Sequence, residues 1–293
     1  GTVAGLGAGA IDAGINTYIA ANFGEGLMQW LHASFGIGVT LGPIIMTAGL
    51  NLFDSWRFGY MVVGTAQLIL ALCFALTISL WKRNNGSTNP EDVQLLTDYK
   101  TPIRETLRQQ GAWLSMLLFF VYTGIELTMG HWIYTLLTES RGIPQETAGL
   151  WAGSYWGTFA LGRILAGLYA RRIGGNTILR FSMLLALLGA LLLWWNPSET
   201  VTLIGVAMIG FAVAPIFPAL VSGTSSRVSA KHAANTIGIQ ISASGLGIAI
   251  LPGLAGAIAQ RTTLEIIPVY LVIMILVLFT VFSISSLRKP YEI

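Results

Sequence analysis

Long apolar runs separated by short polar turns make up most of the chain. Nine stretches hold roughly 20 mostly apolar residues, the length an α-helix needs to cross the hydrocarbon core of a bilayer. They cover residues 3–22, 27–50, 57–81, 112–137, 148–170, 177–195, 201–223, 233–259 and 265–287. None alternates in polarity as a barrel strand would. The pattern predicts an all-α membrane protein. Only one connection is long, residues 82–111. Within it Asn89-Pro90-Glu91-Asp92 reads as a cap followed by Pro and the acids of a first turn, and Thr101-Pro102 repeats the signal. One or two short helices on the membrane surface are expected there. The loop is the natural boundary between two helix bundles, 1–81 and 112–293.

Composition agrees. Hydrophobic residues are 54% and charged residues 10% of the 293 positions, against about 25% charged in soluble domains. The mean hydropathy is +0.69. The net charge of +3 is not a nucleic-acid patch, because the basic residues follow the membrane. With the long loop in the cytoplasm, Lys82, Arg83, Lys100, Arg104, Arg108, Arg171, Arg172, Arg180, Arg227, Lys231, Arg288 and Lys289 all fall on that side. Arg57, Arg141 and Arg261 fall outside, and Arg163 lies within a segment. That bias orients a multi-pass protein of the inner or plasma membrane with a cytoplasmic C-terminus. The single cysteine, Cys73, excludes an intrachain disulfide. The chain opens on Gly1, is apolar at once and shows no signal-peptide pattern.

An internal repeat extends the picture. Gly36-Ile37-Gly38-Val39-Thr40-Leu41-Gly42-Pro43 and Gly245-Leu246-Gly247-Ile248-Ala249-Ile250-Leu251-Pro252 share the pattern G-[IL]-G-x4-P, 209 residues apart. Tyr60 and Tyr270 match one residue out of that register. The first three segments then pair with the last three in a parallel repeat about an axis along the membrane normal. The middle three have no partners in the chain. Their counterparts are expected upstream of Gly1, in a protein of twelve helices and two six-helix halves, of which 1–81 would be an incomplete first bundle.

This plan resembles the major facilitator superfamily. Gly162-Arg163 with Gly167-Leu168-Tyr169-Ala170-Arg171-Arg172-Ile173-Gly174-Gly175-Asn176 is similar to its cytoplasmic loop signature G-x-L-x-D-R-x-G-R-K, with Arg171 at the family Asp and Gly175-Asn176 at the closing Arg-Lys. Gly38-x-x-x-Gly42-Pro43 resembles the Gly-Pro motif of the fifth helix of antiporters, without its trailing Gly-Gly. Ile11-Asp12-Ala13-Gly14-Ile15-Asn16 resembles the Glu-x-x-x-Asn segment in the fourth helix of the fucose–proton symporter family, with Asp for Glu. Tyr122-Thr123-Gly124-Ile125-Glu126 and Tyr155-Trp156 resemble the bacterial glucose/mannose–proton symporters of that group. The resemblance implies a major facilitator fold with nine of twelve helices present, family helices four to twelve. It implies that Asp12 is the acid linking proton to sugar.

The residues themselves suggest the same chemistry. Asp12 is the one acidic or basic residue between Thr2 and Asn22, and a carboxylate at mid-membrane costs roughly 2.5–3.5 kcal/mol. Burial favours its neutral form, so it can take up and release a proton. Asn16, one turn away, can bond the carboxyl or a sugar hydroxyl. A structural hydrogen bond between helices is the plainer reading of the pair. Glu126 is a second proton-coupling candidate, with Tyr122 one turn before it and Gly130 one turn after. Arg163 is the basic partner available to it, and is otherwise structural. Tyr155 and Trp156 could stack on a sugar ring or simply pack. Asn235 and Gln240 are further candidate ligand groups. His131, about 140° around the helix from Glu126, reads as packing or interfacial, and His32 as interfacial. Gly38, Gly42, Pro43, Gly167, Arg172, Gly174, Gly247 and Pro252 are motif positions that serve packing and bending. Pro215 and Pro218 should interrupt the seventh segment.

No metalloprotease motif, phosphate loop or cysteine–histidine metal spacing is present, so neither an enzyme nor a cofactor is expected. The leading reading is a monomeric proton-coupled sugar symporter working by alternating access, with protons, a sugar and the lipid bilayer as partners. An efflux antiporter for an amphipathic compound and a non-transporting membrane sensor or scaffold stay open. A scaffold, however, gains nothing from an acid in mid-membrane.

Overall fold

A backbone in an apolar solvent must satisfy its own hydrogen bonds, and this chain does so with helices. The computed structural model describes residues 1–80 and 99–287, the side chains of residues 39, 40, 43 and 44 excepted. Among the described residues there is no strand. The helices are α1 (Thr2–Asn22), α2 (Glu25–Phe53), α3 (Trp56–Leu76), α4 (Ile103–Thr106), α5 (Gln110–Thr135), α6 (Gln145–Ile173), α7 (Gly175–Trp195), α8 (Glu199–Val213), α9 (Ile216–Ser222), α10 (Thr224–Val228), α11 (Ala230–Arg261) and α12 (Ile266–Ser286). Each of the nine apolar stretches contains a helix, the third one only as far as Leu76. The seventh is divided into α8 and α9 where Pro215 and Pro218 lack the N–H groups that the carbonyls of Phe211 and Ala214 would accept. A π-helical turn, Leu136–Ser140, extends α5. Of the expected surface helices, the 89–92 signal lies outside the described residues, while Pro102 precedes the four-residue α4.

Six helical stretches are long and apolar enough to cross a membrane: Trp56–Leu76, Gln110–Ser140, Gly175–Trp195, Glu199–Ser222, Ala230–Arg261 and Ile266–Ser286. In α1 and α6 polar residues dilute the apolar character, Asp12 and Asn16 in the first and Arg163, Arg171 and Arg172 in the second. This is a multi-pass membrane protein.

The chain forms two units, Gly1–Ala33 with Leu95–Ile293, and Ser34–Gln94. In the first, α5 and α11 run in close contact. Gly247 lets the Phe120 carbonyl so near that a Cβ would collide with it. Thr123 Oγ1 donates to the Ser244 carbonyl at 3.0 Å, and the Trp132 indole to the Pro252 carbonyl at 2.9 Å. Small residues likewise bring α7 and α8 together, where a Cβ on Gly205 would lie 2.9 Å from the Gly189 carbonyl. The second unit is an antiparallel pair made by the later part of α2 and by α3. Asp54 turns the chain with φ 47°, and Phe53 stacks on Phe58 at 3.9 Å. Leu68, Ile69, Leu70 and Leu72 of α3 are exposed, as suits a helix surrounded by lipid or by other helices. Gly38 and Gly42 meet nothing within 4 Å among the described residues.

Candidate functional site

The interruption between α8 and α9 is where the polar groups of the first unit converge. Breaking a helix frees carbonyls, and freed carbonyls in a dry interior need donors. Three consecutive carbonyls at the interruption receive side chains from three other helices, the Pro215 carbonyl in addition to the Ala219 N–H. Tyr122 Oη of α5 donates to the Val213 carbonyl at 3.0 Å. Arg163 Nε of α6 donates to Ala214 at 3.3 Å. Gln29 Nε2 of α2 donates to Pro215 at 3.1 Å.

Arg163 joins this region to α2. Its Nη1 donates to the His32 carbonyl at 3.0 Å, and its guanidinium lies 4.1 Å from the Phe159 ring centroid. Arg163 and Glu126 are 2% and 6% exposed, so a base and an acid share the interior. Tyr155 Oη donates to the Glu126 carbonyl at 2.9 Å.

From His32 the contacts continue into α1. His32 Nε2 lies 3.0 Å from Asn16 Oδ1. Asn16 Nδ2 donates to Asp12 Oδ1 at 2.7 Å and to the Asp12 carbonyl at 2.9 Å. Asn16 and His32 are buried, whereas Asp12 is exposed at the end of this row. The His32 ring packs on Phe217 with centroids 4.8 Å apart.

The structure thus brings together Asp12, Asn16, Tyr122, Glu126, Tyr155 and Arg163, and adds His32, Gln29 and Phe217. Other candidates sit elsewhere. Trp156 packs beside Gly130, in edge contact with Tyr155. Asn235 donates to the Thr101 carbonyl at 2.8 Å and to Thr106 Oγ1 at 3.1 Å, on the wall of a groove of about 420 Å³ that also includes Ile103, Met116 and Gly238. Gln240 exchanges hydrogen bonds with Thr224 at 3.0 and 3.1 Å. His131 is exposed. The loop-signature residues border the start of α2: the Trp30 indole covers Gly167, and Gly174 takes a φ of 77° between α6 and α7. Arg172 is exposed and Pro252 lies inside α11.

Glu25 completes this face of α2. Its Oε1 is shielded from solvent without a hydrogen-bond partner among the described residues, beside Gly175 at the start of α7. Burial pushes its carboxyl up to about 7. Glu25, Gln29 and His32 recur at i, i+4 and i+7, one helical face. That spacing was available in the sequence as the signal for the residues missed there.

Known proteins place the chain in context. The sequence model of the Major Facilitator Superfamily matches residues 1–252 and 132–292. The glucose/mannose transporter GlcP of Bacillus subtilis is 24% identical over 269 residues, which are 89% of this chain and 65% of GlcP. The human sodium-dependent glucose transporter 1 is 24% identical over 257 residues, 75% of this chain and 48% of that protein. The chain therefore spans about half to two thirds of the length of these relatives. A crystal structure of a variant of the E. coli fucose:proton symporter FucP superposes with a TM-score of 0.68 at 16% identity, covering 95% of this chain and 74% of FucP. The superposition extends the likeness to the fold.

Proposed function

Since the chain belongs to the Major Facilitator Superfamily, we propose that the whole protein is a secondary carrier that moves a sugar together with protons by alternating access. The observation that carries this reading is the Asp12–Asn16–His32 row, a carboxyl in a helix with no other charged side chain, joined by hydrogen bonds to the buried Arg163. A carrier needs a group whose charge changes once per cycle, and an intramembrane acid supplies it. Two relatives are named for glucose transport, which favours a sugar over an amphipathic drug. The long loop and the C-terminus are cytoplasmic in this reading, following the basic residues.

The name of the human relative favours sodium as a second coupling ion. The neighbourhood of Asp12 argues for the proton. Sodium wants several oxygen ligands, but Asn16 turns its N–H toward Asp12 and spends its oxygen on His32. An N–H donor stabilises a carboxylate and repels a cation.

Asp12→Asn in the full-length protein mimics the permanently protonated state. It should keep sugar exchange, which needs no net proton movement, and lose accumulation against a gradient. Both are measured on the same proteoliposomes, with proton and sodium gradients imposed separately. Full proton-driven accumulation by Asp12→Asn would remove Asp12 from the mechanism and make Glu126 the next residue to test.

A further inference from the structure

An asparagine amide has one nitrogen and one oxygen, and Asn16 has both committed. Its Nδ2 faces the Asp12 carbonyl at 2.9 Å as well as Asp12 Oδ1 at 2.7 Å. A main-chain carbonyl is an acceptor at every pH, so the amide edge that faces Asp12 is the nitrogen. The oxygen then faces His32 Nε2 at 3.0 Å, and this ring nitrogen must carry a hydrogen. His32 is in turn held from two sides, by Arg163 on its carbonyl and by Phe217 on its ring. The charged groups facing it are Arg163 from α6 and, beyond Arg163, Glu126 from α5. From α9 it meets Phe217, and Glu25 is seven residues earlier on its own helix.

We infer that His32 is the positioning residue for Asp12: its Nε2–H clamps the Asn16 amide so that an N–H stays aimed at one carboxyl oxygen. The other oxygen is left for the proton and the substrate. The inference rests on the proposal that Asp12 is the coupling acid. The ionised carboxyl gains a charge-assisted hydrogen bond from the clamp. Without His32 the amide turns more freely and the bond is weakened.

The test follows Asp12 directly. In the full-length protein in lipid, difference infrared spectroscopy titrates the carboxyl whose band disappears in Asp12→Asn. His32→Phe fills the space beside Phe217 but has no donor, and its midpoint should move up by about one pH unit. His32→Ala should move it in the same direction. His32→Gln keeps an N–H at similar reach, has no titratable ring, and should titrate with the wild type. A wild-type midpoint in His32→Phe or His32→Ala overturns the inference. So does a His32→Gln midpoint displaced as far as theirs, which would assign the effect to the ring and not to the donor. Uptake on the same preparations separates the two proposals. If no proton gradient drives wild-type uptake, the coupling reading fails on its own, and the infrared midpoints still decide whether His32 positions Asp12.

Discussion

Glu25 shows how a single side chain can set a pH dependence. It lies ahead of the apolar part of α2, with Oε1 shielded beside Gly175 and without a hydrogen-bond partner among the described residues. Burial raises its pKa from 4.5 to about 7. An acid raised in the folded state contributes stability that is fully present below its ordinary pKa and lost as pH rises through the folded value. Unfolding in detergent should therefore show wild-type stability falling between about pH 4.5 and pH 7, while Glu25→Gln stays flat. At pH 8 the variant should be ahead by on the order of 2 kcal/mol, less than the full linkage value because Glu25 is only half-buried. An identical pH slope in the two proteins would contradict this. At this scale the sequence was only partly legible. Asp12 and Asn16 stood out as polar residues one turn apart in an apolar run, and the structure joins them. His32 did not, because a lone histidine near a helix end is ordinarily interfacial. Its importance depends on Arg163, 131 residues away, and no spacing reveals such a partner. Tyr155 offered both stacking and packing in sequence; its hydroxyl proves to be committed to the Glu126 carbonyl.

Helices were legible as elements because a span of the bilayer demands a long apolar run, and such runs are hard to mistake. Their ends were less so. α6 and α11 continue beyond their apolar stretches to Ile173 and Arg261, since a helix costs nothing to extend into the interfacial zone, where charged residues such as Arg171 and Arg172 are at home. Close packing was less legible still. Gly245 and Gly247 belong to one motif and look alike in sequence. Among the described residues a Cβ on Gly245 would meet nothing within 4 Å, while one on Gly247 would strike the Phe120 main chain. A carbonyl fixed in α5 cannot swing aside as a side-chain tip can. Gly247→Ala should therefore push α5 and α11 apart and cost about 1–3 kcal/mol, whereas Gly245→Ala should be neutral or slightly stabilising through helix propensity. Parallel thermal unfolding of the two variants decides it; equal effects would show that α5 and α11 tolerate separation.

For the molecule as a whole, superfamily membership was readable from the repeat and from local motifs, but the ties that hold distant helix ends together were not. Arg141 was placed outside the membrane by the charge pattern and assigned nothing more. Its side chain is 5% exposed, with Nη2 2.8 Å from Glu265 Oε2. Its Nε donates to Glu265 Oε1 at 2.9 Å, its Nη2 also to the Leu193 carbonyl at 2.8 Å, and its Nη1 to Thr202 Oγ1 at 3.2 Å. One guanidinium thus joins the end of the π-helical turn to the ends of α7 and α12 and to the first turn of α8. The hydrogen bonds from Arg141 hold the Glu265 carboxyl below its usual range. A depressed acid contributes stability that is present above its ordinary pKa and lost as pH falls through the lowered value. Wild-type protein should accordingly lose stability on acidification below about pH 4.5. Glu265→Gln should lack this contribution to the acid slope while keeping the bonds from Arg141 to Leu193 and Thr202. Arg141→Gln removes the tie and strands the Leu193 carbonyl it served, while the Thr202 hydroxyl keeps its bond to Asn196, so it should cost about 3 kcal/mol at neutral pH and also flatten the acid response. The measurement is an unfolding titration of all three proteins from pH 7 to pH 3. An acid slope that survives unchanged in Glu265→Gln would place its origin in another carboxylate, and a neutral-pH stability of Arg141→Gln equal to wild type would mean that these helix ends are held by packing alone.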